Sequence, residues 1–157
     1  MALRSLLAKD WVLEVNTSGT AETPVWTPVK GLTSMEFSLD AETEDDSDFD
    51  SNGWGSEVVT QRTWSLEIEG RRKRQTDSAS FVADPGQEFL RQAGLVVGLT
   101  ANVDVRWYRK DGAPDAFRGT AAVQYGGGGG EVTDLEPFEV ELTGQGEPEQ
   151  IENPVAA

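Results

Sequence analysis

The sequence has neither cysteine nor histidine among its 157 residues. Without cysteine the chain has no disulfide, no thiolate nucleophile and no zinc–thiolate site. Without histidine it lacks the usual general base near neutral pH and the commonest metal ligand. An enzyme would have to work with carboxylates, Lys, Tyr, Ser or Thr alone. We predict instead a protein without catalysis that needs no cofactor. A carboxylate-only glycosidase would need two acids facing one cleft, and the sequence singles out no such pair.

Long apolar runs are missing as well. The longest, Gly94–Leu99, is too short to span a bilayer. Arg4 and Lys9 interrupt the first residues, and the apolar segment of a secretory signal does not follow them. We expect no membrane partner and folding in a cytoplasm.

Positive charge is scarce and unevenly placed. The chain has 13 basic and 28 acidic residues, which gives a formal net charge of −15. No Lys or Arg occurs from residue 31 to 61, and none follows residue 118. A chain this acidic repels nucleic acid and anionic membranes. It suits a surface past which DNA slides without sticking.

Apolar residues alternate along most of the chain, which predicts a mainly β protein. The clearest strands are Met35–Asp40, Glu57–Gly70 and Ala101–Arg109, where every second residue is apolar. Further strands are expected at Asp10–Thr17, Ala116–Tyr125 and Glu131–Thr143, with an edge strand or irregular segment at Thr23–Val29. About six to seven strands of this kind fit a β-sandwich or a barrel.

One short α-helix is predicted beside the strands. Asp84 fits the N-cap, Pro85 the first helical position, and Gln87 the second half of a capping box. Gly94 fits the C′ position after the last turn.

We expect a single β-sandwich domain over residues 1–144 with this helix on its flank. A long acidic loop is expected at about residues 40–57, and an extended C-terminal tail at residues 145–157.

The acidic stretch Asp40–Asp50 has seven acidic residues among eleven. Its second half, together with Glu57, matches part of an EF-hand calcium loop. However, Ser51 stands where that loop needs glycine, and no helix is predicted on either side. A solvated acidic loop is therefore favoured over a calcium site.

A basic turn, Arg71–Arg74, follows the longest predicted strand. It is interpreted either as a solvated turn or as the partner of the acidic stretch of a neighbouring subunit. Trp54 lies between two glycines on a polar segment, and aromatic residues are enriched at interfaces. The predicted subunit or ring interface comprises Asp45, Asp46, Asp48, Asp50, Trp54, Arg71, Arg72, Lys73 and Arg74.

Together these features resemble the major tail, or tail tube, proteins of long-tailed bacteriophages. The resemblance covers most of the chain and is best over residues 29–73, 84–94 and 135–149. The last of these contains the Thr-Gly-x-Gly ending at Thr143–Gly146.

The resemblance implies a structural virion protein that self-assembles into stacked, hexameric rings, forming a tail tube through which the phage genome passes. It implies as partners other copies of the chain and other tail proteins, such as the tape measure and tail terminator. Genomic DNA would pass through the lumen without specific binding. The protein would reside in the virion tail after assembly in the bacterial host cytoplasm, with the acidic loop and the C-terminal tail reaching neighbouring subunits.

A different function stays open from the residues alone. A monomeric acidic β-sandwich that binds calcium or carbohydrate would have the same strand pattern and charge.

Overall fold

The computed structural model describes residues 1–77 and 79–155. Within this part the chain forms eight β-strands and one α-helix. The strands are β1 (Trp11–Asn16), β2 (Trp26–Pro28), β3 (Leu32–Asp45), β4 (Glu57–Arg71), β5 (Asn102–Arg109), β6 (Ala116–Gly127), β7 (Pro137–Gly144) and β8 (Glu149–Gln150), and the helix α1 is Pro85–Ala93. The prediction of a mainly β protein with a short flanking helix is confirmed. None of the described helices is long and apolar enough to cross a membrane.

All of these strands belong to one antiparallel sheet. Its order is β2-β1-β5-β6-β7-β4-β3, and β8 pairs with the first part of β6. β6 pairs with β5 through its first half and with β7 through its second half, so the strands are strongly staggered. Stagger of this kind accompanies the twist and tilt that let a sheet curl.

Aromatic contacts show that the sheet curls over itself. Trp64 of β4 lies 5.0 Å from Trp107 of β5 between ring centroids, although β6 and β7 separate these strands. Phe37 of β3 lies 5.4 Å from Trp107. The core is therefore enclosed by the two halves of one curled sheet. The described strands do not form two separate sheets.

The buried core follows the predicted alternation. It is formed by Leu13, Val15, Val29, Trp64, Leu66, Ile68, Leu90, Ala93, Val103, Val105, Trp107, Ala121, Phe138, Val140 and Leu142. Leu90 and Ala93 belong to α1 and pack the helix against the sheet. α1 begins as predicted, with Asp84 accepting a hydrogen bond from the Gln87 backbone N–H at 3.2 Å.

Gly94 follows helix α1 as predicted, but it does not form the predicted left-handed C′ cap. Its φ is −74°, in the right-handed region. A Cβ atom at Gly94 would lie 2.5 Å from the Cβ atom of Tyr125. Glycine is required here because β6 packs directly against the helix end.

The predicted acidic loop over residues 40–57 is shorter than expected. β3 continues to Asp45 and β4 begins at Glu57, so only residues 46–56 connect the two strands. Composition suggested a loop because acidic residues crowd this stretch. They fit a strand because its side chains are exposed here and no core face has to be filled.

The segment predicted as an extended tail packs on its own domain. β8 pairs with the first part of β6, which adds the eighth strand. Asn153 is buried, and its side-chain amide donates to the Arg109 carbonyl at 2.7 Å and to the Ala113 carbonyl at 2.6 Å. These bonds tie the segment to the β5–β6 turn of the same subunit.

Candidate assembly surfaces

The hairpin of β3 and β4 projects beyond the rest of the sheet. β7 pairs with β4 only from Ser65 onward, so the first part of β4 has only β3 beside it in the described part of the chain. We call residues 39–63 the hairpin arm. Each of its strands contributes about seven residues, or roughly 23 Å. A two-stranded ribbon is marginally stable by itself in water, so this arm is suited to docking on another surface.

The two faces of the hairpin arm differ in chemistry. Asp40, Glu42 and Glu44 lie on the face that points away from the core, because side chains alternate along a strand. Leu39 lies on the other face, which continues the core side of the sheet, and it is 53% exposed. Val59 pairs with the strand on that same side and is exposed too. The arm therefore presents one acidic face and one mixed face, which carries Leu39 and Val59 together with Arg62 and, near the tip, Asp45 opposite Glu57.

The tip of the arm is a defined turn. Asp45 ends β3 and accepts a hydrogen bond from the Ser47 backbone N–H at 2.8 Å. Hydrogen bonding from the Ser47 side chain and backbone lowers the pKa of Asp45 below its ordinary value. Asp48 caps a single 3-10 turn and accepts from the Asp50 N–H at 2.9 Å. Asn52 takes the left-handed conformation, φ 53°, that asparagine tolerates best after glycine.

The remaining predicted residues of the acidic stretch lie at the same tip. The Asp46 backbone N–H donates to the Ser56 carbonyl at 3.0 Å, and that of Trp54 donates to the Ser51 carbonyl at 3.0 Å. The Trp54 side chain is 80% exposed. Across residues 1–77 and 79–155, no three acidic side chains converge in a way that could hold a metal ion. The partial match to a calcium loop thus has no ligand cluster behind it in the described chain.

The basic turn is held by contacts within its own subunit. Arg72 lies 3.9 Å from Glu88 and 3.8 Å from Glu136, measured between guanidinium nitrogen and carboxylate oxygen. The guanidinium groups of Arg72 and Arg74 lie 5.3 and 5.4 Å from the centre of the Phe81 ring. These are long, partly exposed ion pairs that contribute little to stability. Arg71, Lys73 and Arg74 are exposed, so most of the positive charge faces solvent.

The acidic tip and the basic turn lie at opposite ends of β4. The strand runs from Glu57 beside the tip to Arg71 in the basic turn. Fifteen residues in extended conformation span about 45 Å. The structure therefore does not bring the two groups together within one subunit, and their predicted contact stays a prediction about neighbouring copies.

Gln87 organises the basic turn, a role that sequence reasoning missed. It is only 2% exposed, and its side-chain amide donates to the Lys30 carbonyl at 2.6 Å and to the Arg71 carbonyl at 2.9 Å. The Lys73 backbone N–H donates to its side-chain oxygen at 2.9 Å. The Gln87 side chain thus connects helix α1 to the backbone at Lys30, Arg71 and Lys73, and it does not complete the predicted capping box. The only indication of this role in the sequence was the position of this glutamine next to the apolar stripe of a short helix.

A second surface missed in the sequence is an acidic row on the outer side of the sheet. Glu36, Glu67 and Glu141 lie directly opposite one another on β3, β4 and β7. Glu69 and Glu139 form the next such pair. We call these five residues the glutamate face. All are exposed, and none forms an ion pair with any residue that the structure describes.

Like charges placed directly across strands are destabilising, because side chains in these positions are only about 5 Å apart. A sheet that keeps such a row is therefore less stable than one with neutral residues there. The signal in the sequence was the alternation of Glu with core residues in β4 and β7. The sequence could not show that β4 and β7 pair in a register that places their glutamates side by side.

A contrasting row lies on the same outer side, across β1, β5, β6 and β8. Glu14, Arg106, Arg118 and Glu149 follow one another across these strands, with acidic and basic residues balanced. We call these four residues the paired row. Arg106 donates to Glu14 at 2.8 Å. The Tyr108 hydroxyl also donates to Glu14, and burial together with that bond raises the pKa of Tyr108 to about 12.

Trp26 of β2 covers the paired row. The guanidinium groups of Arg106 and Arg118 lie 4.8 and 5.3 Å from the Trp26 ring centre. Cation–π contacts of this kind add to the ion pair beneath them.

The Thr-Gly-x-Gly ending of β7 packs against Trp64. The indole N–H of Trp64 donates to the Gly146 carbonyl at 2.8 Å. A Cβ atom at Gly144 would overlap the indole ring, and one at Gly119 of β6 would lie 2.6 Å from it. The glycines of this motif are thus explained by packing, because the backbone passes too close to the Trp64 indole for a side chain.

Comparison with known families shows which family the chain belongs to. A family model described as phage tail tube protein matches residues 7–150. The chain belongs to the phage tail tube family. The prediction of a structural tail tube protein of the virion is thereby confirmed.

Solved structures with similar folds come from tail-like assemblies. The tail of an empty gene transfer agent particle, refined with C6 symmetry, gives a TM-score of 0.66 at 16% identity, covering 94% of this chain and 99% of that one. The virion of a native gene transfer agent particle gives 0.62 at 17% identity, covering 92% and 97%. The six-fold symmetrised baseplate of the anti-feeding prophage gives 0.56 at 12% identity, covering 95% and 96%. At these identities the similarity establishes a shared fold.

No curated protein matches the sequence significantly. The family assignment therefore rests on the family model, and the solved structures show the shared fold.

Proposed function

We propose that copies of this tail tube protein close into hexameric rings, and that the rings stack around a channel lined by the glutamate face. The genome would pass along this channel, held off the wall by charge repulsion. The role is structural and involves no catalysis. The neighbouring partners would be further copies and, at the tube's centre and end, tape measure and tail terminator proteins. Assembly would take place in the cytoplasm of the bacterial host.

The glutamate face is the observation that carries this proposal. In an isolated subunit it only lowers stability, since five exposed carboxylates lie close together without a described cation. On the wall of a channel for DNA, the same surface repels each phosphate group that passes. The acidic face of the hairpin arm, with Asp40, Glu42 and Glu44, extends it along the channel.

The sheet edges support closure into a ring. β3 lies at one edge of the sheet and offers fourteen residues with a second side unpaired in the described chain. β2 lies at the other edge and is only three residues long. A long unpaired edge is an aggregation hazard in a monomer, and it becomes useful when every copy pairs with the next. The C6 symmetry of the similar gene transfer agent tail supports six copies.

The positions of the acidic tip and basic turn support stacking. They lie at opposite ends of β4, so the tip of one ring can meet the basic turn of the next. Asp45, Asp46, Asp48 and Asp50 would supply the negative charges, and Trp54 would add an aromatic anchor. The basic turn would supply the complementary charge.

Electron microscopy of the purified protein tests ring and tube formation. We expect hollow tubes or rings by negative stain, whereas a strict monomer at high concentration would contradict the proposal. Replacing Arg71, Arg72, Lys73 and Arg74 by serine should prevent stacking but leave the fold intact. A matched variant that changes the three arginines to lysine keeps the charge and should still stack. Normal tubes from the serine variant would show that the basic turn is not a stacking contact.

The channel lining is tested by reversing its charge. Changing Glu67, Glu139 and Glu141 to lysine should leave tubes that retain DNA, measured by co-sedimentation of tubes with linear duplex. The control changes the exposed Glu22, Glu131 and Glu152 to lysine, with the same effect on net charge. Equal DNA retention by both variants would mean that the glutamate face does not line the channel.

A further inference from the structure

Two apolar segments lie uncovered at opposite ends of the β1–β5 strand pair. The leading segment, residues 1–7, comes before β1, and the apolar loop, residues 95–99, comes before β5. The start of β1 pairs with the end of β5, since Trp11 lies opposite Arg109. The length of β5, eight residues or about 26 Å, therefore separates the two segments. Their exposed side chains are Met1, Leu3, Leu6, Leu7, Leu95, Val96, Val97 and Leu99.

Two hydrogen bonds fix the ends of the apolar loop, although its side chains face solvent. Val97 is 90% exposed and Leu99 is 87% exposed. The Leu95 N–H donates to the Gln92 carbonyl at 3.1 Å, and the Thr100 hydroxyl donates to the Val97 carbonyl at 3.1 Å. An ordered apolar surface loses little conformational entropy when it is covered, so it is well prepared for binding.

The leading segment is attached to the domain at Leu7. The Leu7 carbonyl accepts from the Asp10 N–H at 3.2 Å and from the Arg109 guanidinium at 3.0 Å. The six residues before this anchor can reach about 20 Å from it when extended. The segment is thus long enough to lie across a neighbouring copy.

Charge indicates which partner these segments fit. Residues 1–9 contain Arg4 and Lys9 and no acidic residue, whereas the whole chain carries −15. Residues 92–103 contain no charged residue at all. Two copies repel each other over most of their surface, but the basic leading segment is attracted to a second acidic copy. The uncharged loop is where such a segment can bury its leucines without a charge penalty.

We propose that the leading segment of one copy docks on the apolar loop of another copy, in the next ring of the tube. This contact rests on the proposed tube and adds an apolar component to the charge contact between rings. Because the two patches differ and lie at opposite ends of the β1–β5 pair, the contact is head-to-tail and can repeat from one ring to the next. That is the geometry that stacking requires.

Cysteine cross-linking tests this contact directly, because the chain has no cysteine of its own. Tubes of the double variant Leu6→Cys/Val97→Cys should give a ladder of disulfide-linked oligomers on oxidation. Either single variant should give dimers at most, because one cysteine per chain cannot link more than two chains. The matched control pairs Leu6→Cys with Val132→Cys, another fully exposed valine, and should give no ladder.

The outcomes separate the contact from the tube itself. Normal tubes without a ladder, or an equal ladder from the Val132 control, would overturn the docking contact and leave the proposed function standing. Failure of the unaltered protein to form rings or tubes would overturn both.

A second measurement uses charge in place of cysteine. Val97→Asp/Leu99→Asp should raise the protein concentration needed for tube formation by at least about ten-fold, the equivalent of losing one buried leucine. Because both side chains are exposed in the subunit, its melting temperature should not change. Val132→Asp serves as the control. Unchanged assembly by the Val97/Leu99 variant would contradict the proposal.

Discussion

The paired row and the glutamate face lie on the same side of one sheet, yet they are built in opposite ways. In the paired row, Glu14 is buried and receives hydrogen bonds from Arg106 and Tyr108. On the glutamate face, Glu67 has a glutamate opposite it on each neighbouring strand. The first arrangement stabilises the subunit by itself, whereas the second weakens it.

We propose that the difference separates residues that maintain the fold from residues that serve the assembly. Burial of a charge requires partners, because an unpaired buried charge is very costly. An exposed row is under no such constraint, since water solvates each carboxylate and salt screens their repulsion. This contrast within one sheet supports the proposal that the uncompensated half contacts something outside the subunit.

The largest effect is expected from breaking the paired row. Glu14→Ala leaves the Arg106 guanidinium and the Tyr108 hydroxyl without their acceptor, and should lower the free energy of unfolding by about 2–4 kcal/mol. Urea denaturation of the subunit measures this. The control is Glu36→Ala, the same change on the glutamate face. A loss as large for Glu36 as for Glu14 would mean that the two regions do not differ in the way described.

A somewhat smaller loss is expected at the junction of the two regions. Trp64 lies on β4 and contacts β5, β6 and β7, so it holds both halves of the curled sheet in place. Gly144→Ala forces the indole to move and should cost about 1–3 kcal/mol. Gly55→Ala is the matched control, because a Cβ atom there meets nothing within 4 Å and the backbone is not left-handed. Equal stability of both variants would argue against the role of the Thr-Gly-x-Gly ending.

A gain is expected when the glutamate face is neutralised. Glu67→Gln/Glu141→Gln removes two pairs of facing like charges, Glu36 with Glu67 and Glu67 with Glu141, and should raise the free energy of unfolding by about 0.5–1 kcal/mol. Glu149→Gln in the paired row should give no gain, because Glu149 lies opposite Arg118. If the double variant is less stable than the unaltered protein in the same urea titration, the glutamates are compensated in some other way.

The smallest effect is a response to salt. Raising the ionic strength from about 0.01 to 0.15 M shortens the Debye length from about 30 to 8 Å. The unaltered subunit should gain a few tenths of a kcal/mol in stability over this range, since its like-charge repulsion is screened. The double Gln variant should gain less. An equal gain for both would place the dominant repulsion elsewhere in the chain.

Particular residues show how far the sequence could predict this structure. The alternation that predicted strands at Glu57–Gly70 and Ala101–Arg109 puts Trp64 and Trp107 on the apolar faces of these strands, and both are buried. The start of α1 was predicted from Asp84 and Pro85, since capping is a local property. The role of Gln87 could not be predicted, because its partners Lys30 and Arg71 belong to distant parts of the chain.

The acidic residues show the same limit. Their number indicated an acidic surface, and their clustering suggested a loop where β3 in fact continues to Asp45. A strand with both faces in water has no hydrophobic pattern to reveal it. The predicted interface residues lie at the arm's tip and in the basic turn, but a single subunit does not test whether copies meet there.

Four properties could be predicted from the amino-acid sequence alone: the strand and helix periodicities, the capped start of the helix, the absence of thiol and imidazole chemistry, and the strongly negative charge. Each of these depends on residue types or on near neighbours along the chain. The pairing of the strands and their register came from the folded structure. For that reason it alone placed Glu67 between Glu36 and Glu141 while giving Glu14 an arginine. Whether a charge stabilises or destabilises depends on what lies within a few ångströms of it, and in a sheet those neighbours come from distant parts of the chain.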